Sequence, residues 1–368
     1  MRVTNLGLKN YRNLQGQQLE LLAGINIFCG DNAQGKTNIL EAIYLCATGR
    51  ARRTRLDKEL ITTGHNEAYI SLGVMREQAA YSDRIDIHLR EKRPKGIAIN
   101  GLAIHKLAEL FGTLLCVIFT PEDLTLIKEG PAERRRFLDM EMCQISQVYV
   151  YHLQTYHHVL KQRNSLLKSL KGSKSPPPSL QDTLSVWDEQ LGEHGTKIYH
   201  ERKAFVEEIA TYAQQAHNKL SGESETLDIT YRPNVHPDNF RAKLAHALER
   251  DIALGSTSVG IHKDDLHFSI NGADARIYAS QGQQRTAVLC AKLALIKTMT
   301  AIAGSAPVLL LDDVFSELDE HRQAHLMQSI GDTQAIITCT GVEDILRKMS
   351  REQSYTIFRI ENGFATKL

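Results

Sequence analysis

The stretch that decides the fold is Gly30-Asp31-Asn32-Ala33-Gln34-Gly35-Lys36-Thr37. It fits G-x-x-x-x-G-K-[ST] at every fixed position, the Walker A pattern of phosphate-binding loops. Its flanks fit as well. Gly24–Cys29 reads as a short apolar strand and Lys36–Cys46 as a helix. Glycines let the backbone wrap an anion, and the N–H groups of the loop and of the helix start point at it. Lys36 is expected to reach the β and γ phosphates of ATP, and the Thr37 hydroxyl to ligate Mg²⁺.

The partner of such a loop is a buried strand ending in carboxylates. Val308-Leu309-Leu310-Leu311-Asp312-Asp313 has that form. Asp312 is expected to hold Mg²⁺. Asp313 occupies the position of the acid that polarises the attacking water. Its side chain is one carbon shorter than the more common Glu, which predicts slow turnover. A third element, Ser280-Gln281-Gly282-Gln283-Gln284, opens a strong helix predicted over Gly282–Ile302. Ser280, Gly282 and Gln283 there offer a hydroxyl and free N–H groups, a second anion site. One chain cannot easily wrap both sites round one nucleotide. The expectation is therefore a homodimer, with each Ser280 loop closing on the ATP of the other subunit.

Working outward, 368 residues favour two domains or one domain with a large insertion. Strand-and-turn texture runs to about residue 121, with an Asn100-Gly101 hairpin signal. The pattern turns helical from 122 to 255 and α/β texture returns over 256–368. Predicted helices in the middle are Ala132–Ile145, Gln147–Leu170, Leu184–Leu220 and Asp238–Ile252, with a kink expected near Gly192 and Gly195. Pro176-Pro177-Pro178 marks Ser173–Ser179 as an exposed loop. Beyond Walker B, Phe315–Ile330 reads as a helix. The fold class is thus α/β: a P-loop ATPase head of the ABC type, built from both ends of the chain and interrupted by a mainly helical arm or lid.

Forty-four Lys and Arg against 43 Asp and Glu give a net charge of +1. Any nucleic-acid contact must then come from local patches. Arg50, Arg52, Arg53 and Arg55 form the densest one, suited to backbone phosphates. Arg134-Arg135-Arg136 could instead meet nucleotide or a second head. Tyr149, Tyr151 and Tyr156 read as a packed helix face rather than a stacking platform. His262, Asp264 and Asp265 read as a structural turn rather than a metal site. Six scattered cysteines fit buried thiols in a reducing cytoplasm. No apolar run approaches ~20 residues, so no membrane span is expected.

These motifs, with Lys9–Asn13, Asp57–Ile61, Pro121–Leu124 and Gly130–Asp139, resemble the ABC-type heads of the SMC and Rad50 group, and within it the RecF family of bacterial DNA replication and repair proteins. Only 243 residues separate Thr37 from Ser280, too few for the long arms of SMC or Rad50. The resemblance implies ATP binding, ATP-dependent dimerisation, and binding of duplex, gapped or junction DNA. It further implies loading of RecA at single-strand gaps with the RecO and RecR mediators, and support of the SOS response. Three segments depart from the family pattern: Gly49–Thr54, Gly260–Leu266 and Thr338-Cys339-Thr340. The chief alternative is an ABC transporter-type ATPase subunit, which shares the three nucleotide motifs. The motif separation, the basic clusters and the lack of a coupling segment weigh against it. A second alternative is a non-catalytic scaffold that uses ATP as glue.

Overall fold

The computed structural model describes residues 1–368 apart from 55, 77–81, 172–176, 223 and 350–353. Its centre is a six-stranded sheet. The order is Phe364–Lys367, Tyr355–Glu361, Ile25–Cys29, Ala335–Cys339, Val308–Asp312, Cys116–Phe119. All pairs are parallel except the Tyr355–Phe364 hairpin. Every residue of the Ile25, Ala335, Val308 and Cys116 strands is buried. A parallel sheet is covered on both faces, so such strands read as continuous apolar runs. Alternate residues serve opposite cores. Ile25, Ile27, Leu309, Leu311 and Ile337 join one core; Phe28, Val308, Leu310 and Ile336 join the other.

The second core lies between this sheet, helix Lys36–Thr48 and an antiparallel sheet. That sheet runs Leu14–Glu20, Arg2–Tyr11, Glu67–Met75, Ser82–Arg90, Arg93–Ile99, Leu102–Ala103. Asn100 and Gly101 both take positive φ, at 53° and 80°, the two-residue turn their dipeptide predicts.

On the other face lies helix Gln281–Ala303. It is apolar and long enough to cross a membrane on length and composition, against the sequence reading. Most of it is buried among neighbouring elements, as suits the core helix of a globular protein. Against it packs one helix of 44 residues, Pro178–Ser221. The helix runs without a break across Gly192 and Gly195, where a kink was expected. Gly195 is explained by space: a Cβ there would press within 2.7 Å of the Phe240 ring. The helix starts earlier than expected because Pro178 suits the first helical position, where no N–H is needed. Most of the predicted proline loop lies outside the described residues.

Two other helices are shorter than their sequence suggests. Asp238–Ile252 divides into Phe240–His246 and Leu248–Leu254. Phe315–Ile330 becomes a single turn, Val314–Glu317, and a helix Glu320–Ile330. Leu318 is extended between them, and the Asp319 carboxylate caps the Arg322 N–H at 2.9 Å. A small third sheet joins Leu227–Arg232 of the helical stretch to Asp265–Ile270, across the boundary drawn at 255.

Candidate nucleotide site

Parallel pairing aligns the ends of three central strands. Cys29 lies opposite Cys339, and Asp312 opposite Thr338. The loop Gly30–Gly35 therefore leaves the sheet beside the carboxylates of the neighbouring strand. Gly30 has φ 155°, and a side chain there would run into the Ile360 carbonyl. Ala33 holds φ 65°, which costs a non-glycine residue energy and is found where a loop must turn tightly. Asn38 Nδ2 donates to Asn13 Oδ1 at 2.8 Å, and Gln34 Oε1 accepts the Asn362 N–H at 2.6 Å. Two distant parts of the chain thus hold the loop.

Within the loop, Lys36 Nζ donates to the carbonyls of Gly30 at 2.5 Å and Asp31 at 2.8 Å. Lys36 is otherwise buried. Its charge is held on neutral acceptors, which a phosphate oxygen would improve upon. Thr37 Oγ1 donates to Asp312 Oδ1 at 2.7 Å, and Thr338 Oγ1 donates to the same oxygen at 2.8 Å. The Asp313 N–H donates to Thr338 Oγ1 at 3.0 Å. Arg53 Nη2 stands 3.6 Å from Asp312 Oδ2. Burial raises the Asp312 carboxyl above the ordinary range, against the pull of the Thr37 and Thr338 hydroxyls and of Arg53. A hydroxyl and a carboxylate together form an all-oxygen donor set at the mouth of an N–H-lined loop, and this set fits Mg²⁺ beside phosphate. Asp313 sits just beyond, with φ 51°.

The Ser280 segment makes different bonds. Ser280 caps helix Gln281–Ala303: its Oγ accepts the Gln283 N–H at 3.2 Å, and its own N–H donates to Gln283 Oε1 at 2.8 Å. Gly282 O receives Arg322 Nη2 at 3.4 Å. Arg285 bonds Glu317. So Ser280, Gly282 and Gln283 are brought together with the Glu317-Leu318-Asp319 turn, and their bonds lead away from the Walker A loop.

The structure turns one member of the basic cluster inward and leaves Arg50 and Arg53 exposed. Arg52 is committed inward, to Thr120 Oγ1 at 2.6 Å and Asp123 Oδ1 at 2.7 Å. Arg53 faces the Asp312 carboxylate, and Arg50 is exposed. Arg55 lies outside the described residues. Arg50, Arg52 and Arg53 line a cavity of about 260 Å³ with Glu122, Glu141 and Lys292. Arg134 is buried and forked onto Asp265 at 2.6 and 3.0 Å, and Arg135 donates to Asp264 O. Tyr149 and Tyr156 are fully buried, as a packed face requires, while Tyr151 is exposed. His262 and Asp264 are structural. His262 meets the Tyr156 hydroxyl and Thr257 O, and Asp264 holds the buried Arg202 at 2.9 Å. All six cysteines are buried free thiols.

Sequence reasoning missed Thr338 as the second hydroxyl on Asp312, and Arg53 as its cationic neighbour. A threonine at the end of a buried strand was the available signal, but only the strand order places it.

Residues 2–366 match the RecF/RecN/SMC N-terminal domain. The chain is 46% identical to the DNA replication and repair protein RecF of Lachnoclostridium phytofermentans, over the full length of both. It is 45% identical to RecF of Lachnospira eligens, covering 99% of this chain and 98% of that one. Among solved structures it resembles the recombination mediator protein RecF–ATP of the RecFOR pathway, with TM-score 0.90 and 35% identity, over 100% and 99% of the two chains. An Smc head bound to the C-terminal winged-helix domain of ScpA shares the fold, at TM-score 0.58 and 14% identity, over 100% and 97%. The chain belongs to the RecF/RecN/SMC N-terminal domain family, on its RecF branch.

Proposed function

We propose that this chain is an ATP-gated DNA clamp of recombinational repair. The observation that carries the reading is the cluster of Thr37, Asp312 and Thr338, set beside a Walker A loop and apart from a self-capped Ser280 segment. ATP binds with its phosphates in the Gly30–Thr37 loop and against Lys36. Mg²⁺ is held by Thr37 and Asp312 and neutralises phosphate charge. Asp313 orients water, and its short side chain keeps turnover slow. The Ser280 loop of a second copy completes the site, so ATP links two chains.

The paired heads close on duplex or gapped DNA through phosphate contacts, with Arg50 and Arg53 the exposed members of the basic cluster among the described residues. Likeness to a solved recombination mediator protein of the RecFOR pathway supports a role with RecO and RecR in loading RecA at gaps. Hydrolysis opens the dimer and releases DNA.

Sedimentation with ATP and a gapped duplex tests this. The chain is expected to run as a dimer with ATP and to stay on DNA, and as a monomer without it. Lys36→Met is expected to lose ATP binding and dimer together. A Lys36→Met protein that still dimerises with ATP sinks the gating model.

A further inference from the structure

Gln283 is the hinge of the Ser280 cap. Its side-chain oxygen accepts the Ser280 N–H at 2.8 Å, and its backbone N–H donates to Ser280 Oγ. An amide has two ends, and the other end is also held. Gln283 Nε2 donates to Glu225 Oε1 at 2.7 Å. A carboxylate accepts and cannot donate, so it fixes which end of the amide faces it. The oxygen must then face Ser280.

Glu225 stands 58 residues from Gln283 in sequence. It lies between the C-terminal end of the long helix Pro178–Ser221 and strand Leu227–Arg232. The second carboxylate oxygen of Glu225 is 3.7 Å from Nε2 of His217, a fully buried ring on that same helix. Glu225 is thus the polar link between the long helix and the Ser280 cap.

The cap decides which groups the segment can present. With Ser280 Oγ accepting from Gln283, the Ser280 hydroxyl proton is free to point outward. Helix geometry leaves the N–H groups of Gln281 and Gly282 outside the ladder. Together these form the anion site that a second subunit's nucleotide would meet.

We propose that Glu225 is a positioning residue: it holds the Gln283 amide in the one orientation that keeps the Ser280 cap closed and its donors aimed at the ATP of a second copy. This rests on the trans-acting role given to Ser280 above. Loss of one hydrogen bond to a charged group is worth about tenfold in an equilibrium constant.

The test measures two quantities on the full chain: affinity of the monomer for a fluorescent ATP analogue, and the dimer dissociation constant with ATPγS. Glu225→Ala is expected to weaken the dimer about tenfold and leave monomer nucleotide affinity unchanged. Glu225→Gln keeps an acceptor oxygen and is expected to restore the dimer to within about threefold of wild type. Wild-type dimerisation by Glu225→Ala overturns the proposal. So does a fall in monomer affinity, or a Glu225→Gln protein as weak as Glu225→Ala. Ser280→Arg separates the two levels. If Ser280→Arg dimerises normally, the trans reading itself is wrong. If it blocks the dimer while Glu225→Ala does not weaken it, only the role of Glu225 is wrong.

Discussion

In the proposed reading the Walker A corner and the Ser280 segment both receive phosphate, yet they are finished to different degrees. The first is cross-bonded inside one chain. Thr37 and Thr338 meet on a single oxygen of Asp312, the first 275 residues from it in sequence and the second 26. The second is bonded to itself and to its own neighbourhood, through the Ser280–Gln283 cap, Glu225 and Arg322. It stands at the surface beside Ile277 and Tyr278, two large side chains more than two-thirds exposed. A site finished within the chain can bind its ligand alone. A site finished only locally presents donors to something outside. Under the proposed function this contrast assigns nucleotide affinity to one region and association to the other.

Ser280→Arg strikes the second region alone and carries the largest expected effect. A bulky cation replaces the cap and fills the face. ATP-dependent dimerisation is expected to fall more than about a hundredfold, as loss of a central contact group does. Monomer affinity for ATP is expected to stay within about twofold, read by equilibrium fluorescence. A parallel loss of both would erase the distinction.

Thr338→Val strikes the first region at its least obvious member. The swap is close in volume but removes the bond to Asp312 and leaves the Asp313 N–H without its acceptor. An unsatisfied buried donor costs about 1–3 kcal/mol. Single-turnover hydrolysis is expected to slow about tenfold, while ATPγS still supports the dimer. Equal damage to dimer and turnover would show that the two regions are not separable.

The smallest effect concerns the wall between them. Glu141 lies on helix Pro131–Ile145 in the cavity lined by Arg52 and by Lys292 of the Ser280 helix. Burial raises its carboxyl to about 7, with Lys292 pulling the other way. Its folded value exceeds the unfolded one, so the native state holds a proton that the unfolded chain has lost. This term favours folding least at high pH, and stability is expected to fall as pH rises from about 4.5 through 7. Glu141→Gln is expected to flatten that fall. Urea midpoints at pH 5 and pH 8 check it: the variant gains at pH 8 relative to wild type. An unchanged pH slope would show that Glu141 does not titrate across that interval.

The sequence spoke most clearly where the chemistry is local. The Walker A loop is eight consecutive residues, and its glycines state their own geometry. The carboxylates of Asp312 and Asp313 follow an apolar strand without interruption. Helix ends were read less well. Phe315–Ile330 looks continuous by period, and only the Asp319 cap reveals the break at Leu318. What depends on strand order was out of reach. Thr338 meets Asp312 because Ala335–Cys339 lies next to Val308–Asp312, an adjacency that periodicity does not carry. The inward turn of Arg52 within the Arg50–Arg55 cluster was out of reach for a related reason. Runs of charge look solvated until a partner such as Asp123, 71 residues on, turns one of them inward.

The helix Pro178–Ser221 has a mechanical consequence. Its 44 residues extend about 66 Å. It is one continuous helix, in which Gly195 makes room for Phe240. A rod of that length multiplies angles. Tilting one end by about 5° carries the other about 6 Å, roughly one helical turn. Buried clamps oppose this: Arg163 on Asp188 and Arg202 on Asp139 tie the rod to the helices beside it. The stiffness of these two ion pairs therefore sets how much of any push at the proline end arrives beside Glu225.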